Sequence, residues 1–91
     1  MWWVYVLRCS DGSLYCGISN DVERRLRVHN AGKGSRYVRS RRPARLVFRL
    51  AFPTKSKALK AEYRFKRLPK KQKEIIVEEQ RWNLQLDSSA E

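Results

Sequence analysis

The chain is short of acids: nine Asp and Glu stand against 21 Lys and Arg, a formal net charge of +12. That imbalance excludes a cationic partner and points to a polyanion, with nucleic acid ahead of an anionic membrane. No run of about 20 apolar residues is present, and no helix pairs one basic face with one broad apolar face, so a membrane role is set aside. The apolar opening, Met1 to Leu7, is too short and lacks the basic flank of a secretory signal. Only two cysteines occur, Cys9 and Cys16, without CxxC spacing. A zinc site and a disulfide framework are therefore not expected, and reduced thiols in the cytoplasm are. With 91 residues the chain is expected to form one domain over residues 1–82, followed by a polar, frayed tail at 83–91. A core of that size is modest, so any site must lie in a shallow groove.

What remains is informative. From Trp3 to Cys9, Val4 and Val6 alternate with Trp3, Tyr5 and Leu7, the pattern of a strand. Ser13 to Ile18 alternates again, and Asp11-Gly12 between them signals a hairpin. A two-residue loop would place Tyr5 and Tyr15 on opposite faces. A three-residue loop, Ser10-Asp11-Gly12 with Gly12 left-handed, pairs Tyr5 with Gly17 and Leu7 with Tyr15. The second register is preferred because it leaves the other face, Val4, Val6, Leu14, Cys16 and Ile18, uniformly apolar. It also puts the two cysteines on opposite faces.

A helix capped by Asn20 or Ser19 should carry Asp21 and Glu23 in its first turn and run to about Asn30. Val22, Leu26 and His29 then fall on one stripe with Arg25 beside them, so an arginine and a histidine border the sheet. Lys33 to Pro43 has no useful period and reads as a basic surface loop. Ala44 to Phe52 alternates Leu46, Phe48 and Leu50 with Arg45, Val47 and Arg49 and gives a third strand. Thr54 or Ser56 caps a further helix to Leu68, with Ala58, Ala61, Phe65 and Leu68 inward and Leu59 alongside. Glu62 lies within that stripe, where a carboxylate is costly unless a cation or donor answers it. Pro69 suits the first turn of a last helix bearing Ile75, Ile76 and Val77. The sum is an α/β domain, a small three-stranded antiparallel sheet flanked by helices.

Val4-Tyr5-Val6, Tyr15-Cys16-Gly17, Arg25, His29 and Glu62, at these spacings, resemble the GIY-YIG nuclease family, in particular its small stand-alone bacterial branch. The resemblance covers about residues 2–80. Val4 stands in place of the first triplet's glycine, leaving Tyr5 as its retained polar member, and Cys16 stands for isoleucine in the second. These departures touch strand packing and leave both phenols and Gly17 in place.

The resemblance implies metal-dependent hydrolysis of nucleic-acid phosphodiesters, with catalytic Tyr5, Tyr15, Arg25, His29 and Glu62 and a structural Gly17. Glu62 offers one hard oxygen to a single Mg²⁺ or Mn²⁺, the remaining positions going to water and phosphate. Arg25 suits a phosphate oxygen, because a guanidinium stays protonated and forks toward phosphate. The base stays open between Tyr5, named by the resemblance, and His29, whose ordinary pKa needs no help. Lys33, Arg36, Tyr37, Arg39, Arg41 and Arg42 are the expected nucleic-acid contacts, and members of the same branch carry a similar basic segment. DNA is preferred over RNA, with structure-selective cleavage in repair or recombination. Two alternatives stand beside it: a nucleic-acid-binding module with weak or no activity alone, and a subunit of a complex whose protein partner confers specificity. Trp2, Trp3 and Trp82 could face such a partner, although ordinary packing accounts for them as well.

Overall fold

The computed structural model describes residues 1–84. Strand β1 (Trp2–Arg8) is the centre of the sheet, with β2 (Leu14–Ser19) on one side and β3 (Arg45–Phe52) on the other, both antiparallel to it. Helix α1 (Val22–Asn30) and the short α2 (Arg36–Arg39) follow β2, while α3 (Lys55–Arg67) and α4 (Lys70–Glu79) follow β3. Among the described residues no helix is long and apolar enough to cross a membrane.

The hairpin adopts the three-residue loop. Gly12 sits at φ 85°, a region that L side chains rarely adopt. Cys9 donates its N–H to Ser13 at 2.8 Å and so closes the turn. Tyr5 consequently pairs with Gly17 and Leu7 with Tyr15. This register splits the sheet into two faces with separate cores. Val4, Val6 and Cys16 pack with Phe48, Ala58, Ala61, Phe65 and Ile76 under α3 and α4. Tyr5, Leu7 and Cys9 pack with Val22, Val38 and Ala44 under α1 and α2. The two free thiols are thus on opposite sides of the sheet.

Four expectations need correction. Simple alternation puts Leu46 on the same face as Phe48, but the β1–β3 pairing slips between Val6 and Leu7, so that Val6 opposes Phe48 and Leu7 opposes Leu46. Val47 is the extra residue of a bulge, and Leu46 turns to the tyrosine side. The cap of α1 is Asp21, whose carboxylate accepts the N–H of Arg24, because Ser19 still belongs to β2 and instead accepts the N–H of Asp21. The basic segment is not wholly loop: Ser35 caps α2, and Val38 is fully buried. Leu59 is 45 % exposed rather than tucked beside the stripe.

The tryptophans pack: Trp2 and Trp82 lie against the α3–α4 core, and Trp3 against the other. Leu84 also packs on the first core; the rest of the expected tail, 85–91, lies outside the described residues. The bidentate pair of Arg8 with Glu74, at 2.6 and 2.7 Å, ties the end of β1 to α4.

Burial separates Phe65 from Leu59 on the same helix. Phe65→Ala should lower unfolding stability by about 3–5 kcal/mol, through lost transfer energy and a residual cavity. Leu59→Ala should stay within about 0.5 kcal/mol of the parent. Urea unfolding followed by circular dichroism reads both, as a shifted midpoint in the first case only.

Candidate active site

The strand register and the phase of α1 carry four of the five expected catalytic residues to one place. Tyr5 projects from the central strand toward α1, and its hydroxyl meets Nε2 of His29 at 2.8 Å. Both side chains are buried, and among the described residues His29 is the one buried group of the charged and polar types. Tyr15, opposite Leu7, places its ring 6.4 Å from Tyr5 and 5.3 Å edge-on to His29. Arg25, one turn before His29, brings its guanidinium near enough to the Tyr5 phenol to oppose the rise of its pKa.

Gly17 has a specific reason to lack a side chain. A Cβ built there would lie 2.5 Å from the Tyr5 hydroxyl, so the glycine opposite Tyr5 makes the space that the phenol fills.

The protons of this cluster can be placed. Nδ1 of His29 accepts the backbone N–H of Ser35 at 3.2 Å. A backbone N–H can only donate, so Nδ1 carries no proton and the neutral ring carries its own on Nε2. That N–H therefore donates to the Tyr5 oxygen, near which the charge of Arg25 also lies. Burial, and after it the charge of Arg25, holds His29 below its ordinary value of 6.5, favouring this neutral ring. Burial also raises the Tyr5 phenol to about 12, with neighbouring Tyr15 adding to the rise and Arg25 opposing it. The resting pair is a neutral phenol and a neutral imidazole. Its chemical capacity is that of an oxygen facing one donor beside a guanidinium charge, a setting that stabilises developing negative charge.

Glu62 comes from the other side of the sheet, on α3, which packs on the face that bears Cys16. There it pairs with Lys66 at 3.2 Å, the side chain of Glu62 being 19 % exposed. Lys66 in turn lies 6.0 Å from the ring of Tyr15. The negative charge of Glu62 helps burial push the Cys16 thiol up to about 12. Lys66 is the cation that answers the carboxylate in the stripe. No group of three or more His, Cys, Asp and Glu side chains occurs among the described residues. The donor set thus fits a hard divalent cation held by one carboxylate, with the remaining ligands from water and phosphate, and does not fit a closed protein cage.

The basic segment divides in two. Lys33, Arg36 and Arg39 are exposed. Arg41 instead pairs with Asp11 at 3.1 Å and stacks on Tyr37 at 3.9 Å. Arg42 donates to the carbonyl of Arg39 at 2.9 Å. Tyr37 itself stacks on Tyr15, with centroids 6.1 Å apart and planes inclined by 24°.

Two positions escaped the sequence reading. A Cβ on Gly34 would collide with Nδ1 of His29, so only glycine lets the chain come close enough for Ser35 to fix the imidazole. Asn30 clamps the start of β3, its amide donating to the carbonyl of Ala44 and accepting the N–H of Ala44, each at 2.8 Å. Neither carries a local signal beyond a glycine in a loop and a polar helix end.

Comparison with known proteins identifies the family and the fold. The family described as GIY-YIG catalytic domain matches residues 1–75. The UPF0213 protein of Bacillus pumilus is 51 % identical over 77 residues, covering 85 % of this chain and 79 % of that one. The UPF0213 protein of Cupriavidus pinatubonensis is 53 % identical over 72 residues, covering 79 % and 80 %. Among solved structures, the UPF0213 protein BH0048 of Bacillus halodurans superposes with a TM-score of 0.56 at 47 % identity, covering 86 % of this chain and 84 % of that one. The protein EF2693 of E. faecalis gives 0.57 at 44 % identity, covering 84 % and 81 %.

The imidazole arrangement has a direct readout. Nitrogen-15 NMR of the His29 ring should show the proton on Nε2, and Gly34→Ala should release Nδ1 and raise the pKa of the ring. Because the folded pKa is depressed, the unfolded chain binds the extra proton first as pH falls. Stability is therefore complete above about pH 6.5 and lost progressively below it, down to the folded pKa. His29→Gln should abolish that acid-side slope in thermal melts between pH 7 and 5. A parent slope unchanged by His29→Gln would mean that another group is responsible.

Proposed function

This chain belongs to the GIY-YIG family of nucleases, and on that premise we propose that it is a divalent-metal-dependent endonuclease hydrolysing nucleic-acid phosphodiester bonds. DNA is the proposed substrate, selected by its structure rather than its sequence, in repair or recombination. The observation that carries the chemical part is the Tyr5 oxygen, which faces the N–H of a neutral His29 and the guanidinium of Arg25.

In the proposed mechanism Tyr5 is the base. As phenolate it removes a proton from water, the oxygen of that water attacks phosphorus, and the bond from phosphorus to the 3′ oxygen breaks. Solvent returns a proton to the leaving oxygen. His29 does not compete for the base role, because its one lone pair is occupied by the N–H of Ser35. It serves by donating to the phenolate oxygen. Arg25, half-buried beside the phenol, is free to extend a second donor to a non-bridging phosphate oxygen. Tyr15 orients the water. Glu62 would hold a single Mg²⁺ or Mn²⁺, which supplies Lewis-acid charge at the leaving oxygen when bound. Lys33, Arg36 and Arg39 contact phosphates, and Arg41, Arg42 and Tyr37 shape the segment that presents them.

A second reading, binding with activity only beside a partner, draws on the Tyr5 phenol held at about 12. Nicking of supercoiled plasmid in Mg²⁺, Mn²⁺ or EDTA separates the two readings. Metal-dependent nicking is expected, with Tyr5→Phe, Arg25→Ala and Glu62→Gln each slower by about 100-fold or more while DNA binding persists. Because the phenol must ionise, the rate should climb tenfold per pH unit from neutrality to about pH 9. A plateau from about pH 7 would return the base to His29. Binding without nicking by the parent would favour the second reading.

A further inference from the structure

Beside Tyr15, on the side away from Tyr5, lies a cavity of about 230 Å³ that the catalytic scheme does not use. It is lined by the rings of Tyr15, Tyr37 and Phe65 and by the ammonium-bearing side chains of Lys66 and Lys73. Four elements build it: β2 gives Tyr15, α2 gives Tyr37, α3 gives Phe65 and Lys66, and α4 gives Lys73. Tyr15 and Tyr37 are nearly parallel with centroids 6.1 Å apart, Arg41 covers one face of Tyr37, and both rings border the cavity. Lys66 is half exposed and shares its charge with Glu62. Lys73 has no carboxylate partner among the described residues and lies 5.8 Å from the ring of Phe65.

We propose that this cavity is a subsite for one unpaired nucleotide, its base against Tyr15 and Tyr37 and its phosphate between Lys66 and Lys73. Aromatic faces take any base, because every base has a π-face, and two ammonium groups complement a phosphodiester. An apolar peptide would leave Lys73 facing a surface with no charge for it. A base pair held in a duplex is too large for the cavity and presents its edges rather than its faces. Tyr15 borders this cavity and belongs to the Tyr5–His29 cluster at once. The subsite therefore adjoins the reacting phosphate, a placement that rests on the nuclease reading. Occupancy of the cavity itself does not.

The test uses the full chain in EDTA, so that binding is read without cleavage. Amide NMR spectra are followed during titration with the trinucleotide d(TTT), with thymidine, and with inorganic phosphate. The trinucleotide should shift Tyr15, Cys16, Lys66 and Lys73 and bind more tightly than either fragment. Tyr37→Leu should weaken it by about tenfold, and Lys73→Ala severalfold, the latter with an unchanged melting temperature. Equal binding of inorganic phosphate would reduce the site to a phosphate contact and overturn the proposal. So would shifts confined to residues 33–42, or parent affinity in both variants. Trinucleotide binding in the cavity by a chain that nicks nothing keeps the subsite and removes the nuclease. Nicking by a chain whose cavity ignores the trinucleotide does the reverse.

Discussion

One buried hydrogen bond, between the Tyr5 hydroxyl and Nε2 of His29 at 2.8 Å, sets conditions on most of this structure. Either partner buried alone would cost about 1–3 kcal/mol of unrecovered desolvation. Three separate features must agree to prevent that. The hairpin must take the three-residue loop, or Tyr5 faces the wrong core. Gly17 must leave room for the phenol, and Gly34 must let Ser35 reach the far side of the imidazole. With all three in place every buried side-chain nitrogen and oxygen among the described residues has a partner. A small domain cannot bury many polar groups, and this one spends that capacity at a single place.

The second organising feature is the central strand with a core on either face. It places the phenols in one core and the helix that carries the carboxylate on the other. In a chain of net charge +12 a carboxylate is readily captured by a neighbouring cation, and Glu62 is indeed held by Lys66. That pair is half in solvent, so screening keeps it weak and exchangeable. Glu62 can thus be satisfied in the fold and still be available to a more highly charged cation, while its lysine stays beside Tyr15.

What could be read from the sequence followed local rules with a long reach. Asp11-Gly12 and the clean division of apolar residues fixed the hairpin register, and the 3.6-residue period put Arg25 and His29 on the sheet side of α1. The family motif then tied five scattered positions together, and the match over residues 1–75 shows the family itself. The misses are of another kind. Leu46 changes face because of a bulge, which depends on how β3 fits a strand more than 35 residues away and leaves no local mark. Helix α2 is a single turn held by the burial of Val38, too short for any period to appear. Gly34 and Asn30 matter through what approaches them, the ring of His29 and the backbone of Ala44. Such contacts exist only after the chain has closed.

The proton on Tyr5 shows why burial and reactivity need not conflict here. Desolvation penalises the phenolate, and an approaching phosphodiester, itself an anion, would penalise it further. The His29 N–H and the nearby charge of Arg25 offset part of that, yet the phenol still stands at about 12. The balance can therefore tip only when positive charge arrives together with the substrate. Arg25 is present from the start and is insufficient, as the high pKa shows. In the proposed mechanism a cation held by Glu62, whose partner Lys66 lies 6.0 Å from the ring of Tyr15, would meet that deficit. In the proposed scheme water activation would then require phosphate, cation and base together, so that a shallow site would not deprotonate solvent when it is empty.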